Sequence, residues 1–350
     1  MENTMGINEQ DLFELLERSN KKGSQLFNKE KGWASLQQRV RHNNQHLVNN
    51  HSWNKKPWRI VAIFALVIGL SLYFGSVEKP VKVVTKQFAL PIEDHHVSGP
   101  SNLVLNNGEL VQLSEISSHK LFEYDKKRKE LTVKRGKGAG AFSKLSVALG
   151  ENLRVKFPDS SVVTLNAGSV LVFPDHFSSK QRSVRLNGEA LFDIEKNPSK
   201  PFIIKTRRQN VRVLGTVFNV RDYPDEPTTQ TSLLSGKVEV RSVSGKPLAT
   251  LNPGTALTIT NGAHSIDRYD SEISLAWLKR RIIFKGHSFS SKIDEIERLY
   301  GIRIDCKNTS IKRLRLSGIF RSNNSEDLWE SIRFLKPCKI SVKEGKVIIR

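Results

Sequence analysis

The stretch "NLRVKFPDSSVVTLNAGSVLVF", Asn152–Phe173, decides the fold class. Leu153, Val155 and Phe157 alternate with other residues, and two more short apolar runs follow, separated by Pro158–Ser161 and Asn166–Ser169. Alternation puts apolar side chains on one face of a strand, and clusters of Pro, Gly, Asn and Ser break strands into turns. The same texture recurs outward, in "RSVRLNGEALFDI" (182–194), "PFIIKT" (201–206), "QNVRVLGTVFNVRDY" (209–223), "TSLLSGKVEVRS" (231–242) and "ALTIT" (256–260). No long helical period interrupts it between Leu103 and Ile266. Residues 143–266 therefore read as an all-β domain, a sandwich or a β-solenoid-like stack. Residues 78–142 read as a linker with the first β segments.

From Trp277 onward helices join the strands. "RIIFKG", "IRIDC" and "RLRLSGIF" are strands, and "SFSSKIDEIERLYG" is a helix with Phe289, Ile293, Ile296 and Tyr300 on one stripe. Gly301 closes it as a left-handed cap. "NSEDLWESIRFL" is a second helix, buried through Leu328, Ile332 and Leu335 and capped by Asn324 or Ser325. "CKISVKEGKVIIR" is a hairpin turning near Gly345. The order β-α-β-β-α-β over residues 277–350 makes a small α+β domain.

Toward the N-terminus lies "IVAIFALVIGLSLYFGSV", Ile60–Val77, eighteen residues without a charge. At ~1.5 Å per residue it reaches roughly 27 Å, close to the hydrocarbon thickness of a bilayer. The 59 residues before it are too many for a cleavable signal peptide. Trp58 and Tyr73 suit the two interfaces, so residues 58–77 read as one transmembrane helix. Arg39, Arg41, Lys55, Lys56 and Arg59 on one side outweigh Lys79, Lys82 and Lys86 on the other, which puts the N-terminus in the cytoplasm. Residues 1–57 read as short helices with too few apolar residues to be stable alone. Leu12, Phe13, Leu16, Trp33, Leu36 and Val40 would then form an apolar surface for a partner. The net charge is +21, of which +17 follows Val77, scattered through strand-like segments. That pattern argues against direct nucleic-acid binding and for an acidic envelope surface or partner.

Constellations for chemistry are weak. Gly136, Gly138 and Gly140 lack the spacing and following helix of a phosphate loop. Glu189, Asp193 and Glu195 fall on one strand face and read as solvated. His42 and His46 stand four apart without a third ligand, and His95–His96 follows Glu93–Asp94 in the linker. No Ser/His/Asp or Cys/His set stands out, so no enzyme, cofactor or metal is expected. Cys306 and Cys338, the two cysteines, either pair in an oxidising compartment or serve as small buried hydrophobes.

"SSVVTLNAGSVLVFPDHF", "VRLNGEALFDI", "PFIIKT", "VRVLGTVFNVRDY", "LLSGKVEV" and "LNPG" come in an order that resembles the FecR family of membrane sigma-factor regulators, in its Bacteroidetes form. "WLKRRIIFKGHSFSSKIDEIERLYGI" and "LSGIFRSNNSEDLWESI" are similar to the secretin/TonB short N-terminal-like domain that ends those proteins. The chain departs from the family at Thr164, where an aromatic is frequent, at Asp159–Ser160, where Asp-Gly is, and at Leu278–Arg281, where an Asn-Gly turn is.

The resemblance implies an inner-membrane anti-sigma factor with its C-terminal region in the periplasm. The signalling domain of an outer-membrane TonB-dependent transporter would touch that region. The N-terminal segment, through Leu12, Phe13, Leu16, Trp33, Leu36 and Val40, would bind an extracytoplasmic-function sigma factor. Gly215–Thr216 resembles the bond at which some members cut themselves, the Thr hydroxyl attacking the preceding carbonyl. The competing class is an envelope binding or assembly module with an inert anchor.

Overall fold

The strand Arg182–Ile194 organises the β-domain. Its first half pairs antiparallel with Val170–Pro174 and parallel with Phe202–Lys205. Its second half pairs antiparallel with Val162–Leu165 and Thr216–Asp222. Two sheets thus share one strand, and Gly188 marks the passage between them. Gly188 has φ +117°, and a Cβ there would lie 2.5 Å from Ser169 Oγ, so the close approach requires glycine.

The computed structural model of this chain describes residues 99–116, 119–135, 141–343 and 345–350. The helices expected over 1–57, the span 58–77, both histidine pairs and the glycines from 136 to 140 lie outside these residues. Among the described residues no helix is long and apolar enough to cross a membrane.

The first sheet also holds Asn102–Val104, Leu110–Gln112, Phe142–Ser146, Gln209–Val213, Val238–Ser242 and Pro247–Leu251. The second holds Phe122–Asp125, Glu130–Val133, Leu153–Lys156, Thr228–Ser235, Thr255–Thr260 and Ala263–Arg268. Their apolar faces meet in one buried cluster, with Leu131, Val155, Phe192 and Phe218 from one sheet and Leu103, Leu145, Phe173 and Phe202 from the other. Phe192 and Phe218 stack at 5.1 Å, and Phe157 meets Phe173 edge-on at 5.5 Å. Leu103, Leu113, Phe122 and Leu131 sit in this same core. The β-domain therefore reaches back to Asn102, well before residue 143.

The C-terminal domain begins with helix α1 (Ser271–Ser274), whose N-cap Asp270 accepts from the amides of Glu272 and Ile273. Strands Arg281–Ser288 and Arg315–Arg321 pair antiparallel. Strand Arg303–Cys306 pairs parallel with Lys346–Ile349, which pairs antiparallel with Ile340–Lys343. Helices α2 (Ile293–Tyr300), α3 (Thr309–Lys312) and α4 (Glu326–Leu335) complete it. The expected alternation is present, with the short α3 added. Gly301 has φ +70° and donates to Glu297 O, as a left-handed cap does. Phe284, Phe289, Ile296, Leu328, Trp329 and Ile332 form the core. One expectation fails: Leu335 is 52 % exposed and Trp329, at 3 %, is buried in α4 with Leu328 and Ile332. Helix α4 ends at Leu335 and Lys336 leaves extended, so no further turn carries Leu335 back onto the core.

Candidate functional site at the seam between the two domains

Alternation along Arg182–Ile194 points Ala190, Phe192 and Ile194 into the core and Glu189 and Leu191 away from it. On the neighbouring strand Phe218 and Val220 point in, and Val217, Asn219 and Arg221 point out. This outer face is covered by the C-terminal domain. Leu275 and Leu278, at the end of α1 and in the turn after it, pack with Leu191 and Val217. Asn152 Nδ2 donates to Trp277 O at 2.9 Å. Further along, the Gly150 amide donates to Arg298 O at 2.8 Å, and a Cβ on Gly150 would lie 3.4 Å from Gly301 Cα. The two backbones come into van der Waals contact there, both glycines having positive φ.

Where the apolar contact ends, a charged network begins. Glu189 accepts from Asn166 Nδ2 at 2.9 Å, Asn219 Nδ2 at 2.9 Å and Arg221 Nη1 at 3.4 Å. Arg221 also donates to both oxygens of Glu226, at 2.8 and 2.7 Å, and reaches Glu295 of α2 at 3.3 Å. Arg298, one turn further along α2, pairs with Glu226 and lies 3.9 Å above the Tyr223 ring. Lys292 holds Glu295 at 2.9 Å. Tyr223 OH donates to Ala167 O at 2.9 Å, which fixes the ring under the guanidinium.

The electrostatics follow from burial and pairing. Burial raises the Glu189 carboxyl above its ordinary range, against the pull of Arg221, Asn219 and Asn166. Burial alone would lower Arg221, but Glu189, Glu295 and Glu226 together hold its guanidinium well above the usual value. Burial pushes Glu295 up, yet Arg221 and Lys292 outweigh it and set that carboxyl below the ordinary range. Burial raises the Tyr223 phenol.

A cleft of about 430 Å³ opens along this seam, lined among others by Asn152, Gln230, Trp277, Arg280, Lys292 and Asp294. The charges in its floor are largely paired with one another. A buried ion pair that loses one partner leaves a charge stranded in low dielectric, so the network fixes one registration of α2 on the sheet. The arrangement suits mechanical coupling of two domains.

Several expectations change here. The expectation of a solvated face fails for Glu189, which is 1 % exposed and enclosed by Asn166, Asn219 and Arg221, the last of which pairs with Glu295 of α2. Asp193 is half-buried and Glu195 exposed, so the three carboxylates do not act together. Nothing in the sequence marked Arg221, Glu226, Glu295 or Arg298 as partners, since the separations from the first two to the others are long and no motif joins them.

At Gly215 the φ is +155°, and a Cβ would lie 2.5 Å from Lys196 Cα. A Cβ on Gly236 would lie 2.8 Å from Thr216 Oγ1. The Thr216 hydroxyl donates to Lys237 O at 3.0 Å. Both glycines are required by close backbone packing around a buried Thr216. Cys306 and Cys338 are free thiols in this structure, the first buried and the second half-buried. Burial raises both thiols. Thr164 is 5 % exposed within its sheet. Ser160 and Arg280, at the two turn departures, have φ +70° and +50°, the left-handed region where glycine is favoured.

Comparison with known proteins follows the same division. Residues 143–239 match the family model described as FecR protein, and residues 281–349 match the one described as FecR, C-terminal. A crystal structure at 1.65 Å of a candidate anti-sigma factor from Parabacteroides distasonis is similar, with 30 % identity and a TM-score of 0.53. The similarity covers 59 % of this chain and 98 % of that one. A second crystal structure so described, from the same organism at 2.50 Å, matches equally. No curated protein matches the chain.

Proposed function

Because the chain belongs to the FecR family, we propose that it is a single-pass inner-membrane anti-sigma regulator that relays a signal from an outer-membrane TonB-dependent transporter to a cytoplasmic extracytoplasmic-function sigma factor. The observation that carries this reading is the likeness to an anti-sigma candidate over 98 % of the chain in that crystal structure, at 30 % identity. The charge-free stretch Ile60–Val77 supports a membrane anchor, with residues 1–57 inside and the β-domain and C-terminal domain in the periplasm. The C-terminal domain is the receptor-facing unit. A displacement of α2 reaches the β-domain through Arg221, because that guanidinium holds Glu189 and Glu226 of one domain and Glu295 of the other.

The chain acts in this reading without catalysis, and Gly215–Thr216 is a packing joint. Full-length chain is expected to migrate intact on a denaturing gel. Two fragments that vanish in Thr216→Ala would make that bond a self-cleavage site instead.

The sigma partnership is tested by purifying the tagged full-length chain from its native host in detergent. One sigma factor is expected to co-purify, and to be lost with Trp33→Ala or Leu36→Ala. An intact chain that brings down no sigma factor would favour an envelope module with an inert anchor.

A further inference from the structure

The strand Ile340–Lys343 is an outer strand of its small sheet, paired only with Lys346–Ile349 among the described strands. Lys339 and Arg350 exchange both backbone hydrogen bonds, each at 3.0 Å. Antiparallel pairs alternate between bonded and non-bonded residues, so Ser341 and Lys343 are the next bonded positions. Ile340 and Val342 therefore turn their N–H and C=O groups outward, to no described strand. Cross-strand partners share a face, and Val342 stands opposite Val347, which is 1 % exposed in the domain core. Val342 itself is 65 % exposed, so the apolar face runs past the last strand with no described residue covering it. The helix leading into this strand ends on Phe334 and Leu335, 89 % and 52 % exposed.

The charge around this edge is mostly positive. From Arg333 to Arg350 the sequence holds six bases and one acid, Glu344. Arg333 pairs with Glu326 and Lys346 with Asp305. Lys336, Lys339 and Lys343 are exposed and form no ion pair with a described carboxylate.

We propose that this edge binds an extended, acidic segment of another protein, which adds a strand alongside Ile340–Lys343 and lays an apolar side chain over Val342. A second copy of this chain is the poorer occupant, because antiparallel self-pairing about Ser341 sets Lys339 of one copy beside Lys343 of the next. An anionic lipid surface satisfies the lysines but offers the outward N–H and C=O groups no strand to pair with. An acidic strand satisfies the bases, the backbone and the apolar face together. The proposal deepens the reading of the C-terminal domain as the receptor-facing unit and rests on it for the partner's role.

The test uses the full-length chain in neutral phosphatidylcholine nanodiscs and a fluorescent ten-residue peptide of alternating Glu and Val. Binding is expected by anisotropy, with the Ile340 and Val342 amides gaining protection from hydrogen exchange. A Lys–Val peptide of the same length is expected to bind at least tenfold more weakly. The triple variant Lys336→Glu, Lys339→Glu, Lys343→Glu is expected to lose at least tenfold in affinity for the acidic peptide. Val342→Pro removes only an outward donor, so the hairpin keeps its own ladder, and it too is expected to lose at least tenfold. Peptide binding that leaves both amides unprotected, or that Val342→Pro does not change, overturns strand addition. Protection of residues 334–343 by phosphatidylglycerol nanodiscs without peptide makes the surface a lipid contact and overturns the proposal. Sigma co-purification is scored separately, so peptide binding with no sigma factor recovered would sink the regulator reading and leave this surface standing.

Discussion

The core of the β-domain and the seam beneath α2 bury residues of the same two strands in opposite ways. Phe192 and Phe218 face inward among aromatics and aliphatics, while Glu189 and Arg221 face outward into a network of ions and amides. The first surface has no polar alternative in water and gains from area alone. The second must satisfy each charge at a particular partner, so it gains less free energy and more registration. In the proposed relay, a domain that must stay folded while transmitting a displacement needs both, with stability on one side of the strands and coupling on the other.

Phe192→Ala attacks the first surface and carries the largest expected effect. It should cost about 3–5 kcal/mol of stability, read from the denaturant midpoint of the β-domain, with the cavity unfilled by its stacked neighbour Phe218. A loss below about 1 kcal/mol would mean that the core is looser than the stacking implies.

Glu226→Ala breaks the seam at the carboxylate shared by Arg221 and Arg298. The expected cost is roughly 1.5–3 kcal/mol, less than for the core because the Arg221 side chain keeps 23 % of its exposure. Hydrogen exchange should rise at the Gly150 amide, which bonds across the seam, and stay unchanged at Phe192. Equal loosening at both would erase the distinction between the two surfaces.

Acid sharpens the comparison further. Glu295 has its folded-state pKa set below the unfolded value of about 4.3 by Arg221 and Lys292, so its stabilisation is fully present above that unfolded value. It is lost as pH falls through the folded value. Thermal unfolding followed from pH 7 to pH 3 should show this fall, and Glu295→Gln should flatten it. A variant as acid-sensitive as the parent would assign the fall to another group.

Ser160→Gly carries the smallest effect. It relieves a left-handed serine, worth about 1–2 kcal/mol, against a greater unfolded-state entropy of about 0.4–1 kcal/mol. A gain of up to about 1 kcal/mol in stability is expected, with the seam unaffected.

The strands were legible because alternation and turn residues carry them, and Gly301 was legible as a cap because the helical stripe ended there. Alternation also assigned Glu189 to the outer face. It failed on what lies beside that face, because the link to α2 runs through an ion pair between Arg221 and Glu295, and no local pattern records it. Leu335 misled for a related reason: its spacing continues the apolar stripe, but the helix stops before a neighbour can cover it. The departures at Ser160 and Arg280 were visible as missing turn residues, and their left-handed backbones give the physical reason. The β texture was legible from Leu103, but that the first short strands share one core with residues beyond 143 was not, because strands of three residues carry too little alternation to show which face they bury.

That this chain governs one sigma factor, as proposed, is tested at the level of transcription. Messenger RNA would be compared between the native host, a strain lacking the chain, and that strain complemented with the wild type or Trp33→Ala. The account predicts that deletion changes a set of genes sharing one promoter type, that the wild type restores them, and that Trp33→Ala does not. Unchanged transcripts on deletion, or full restoration by Trp33→Ala, would contradict it.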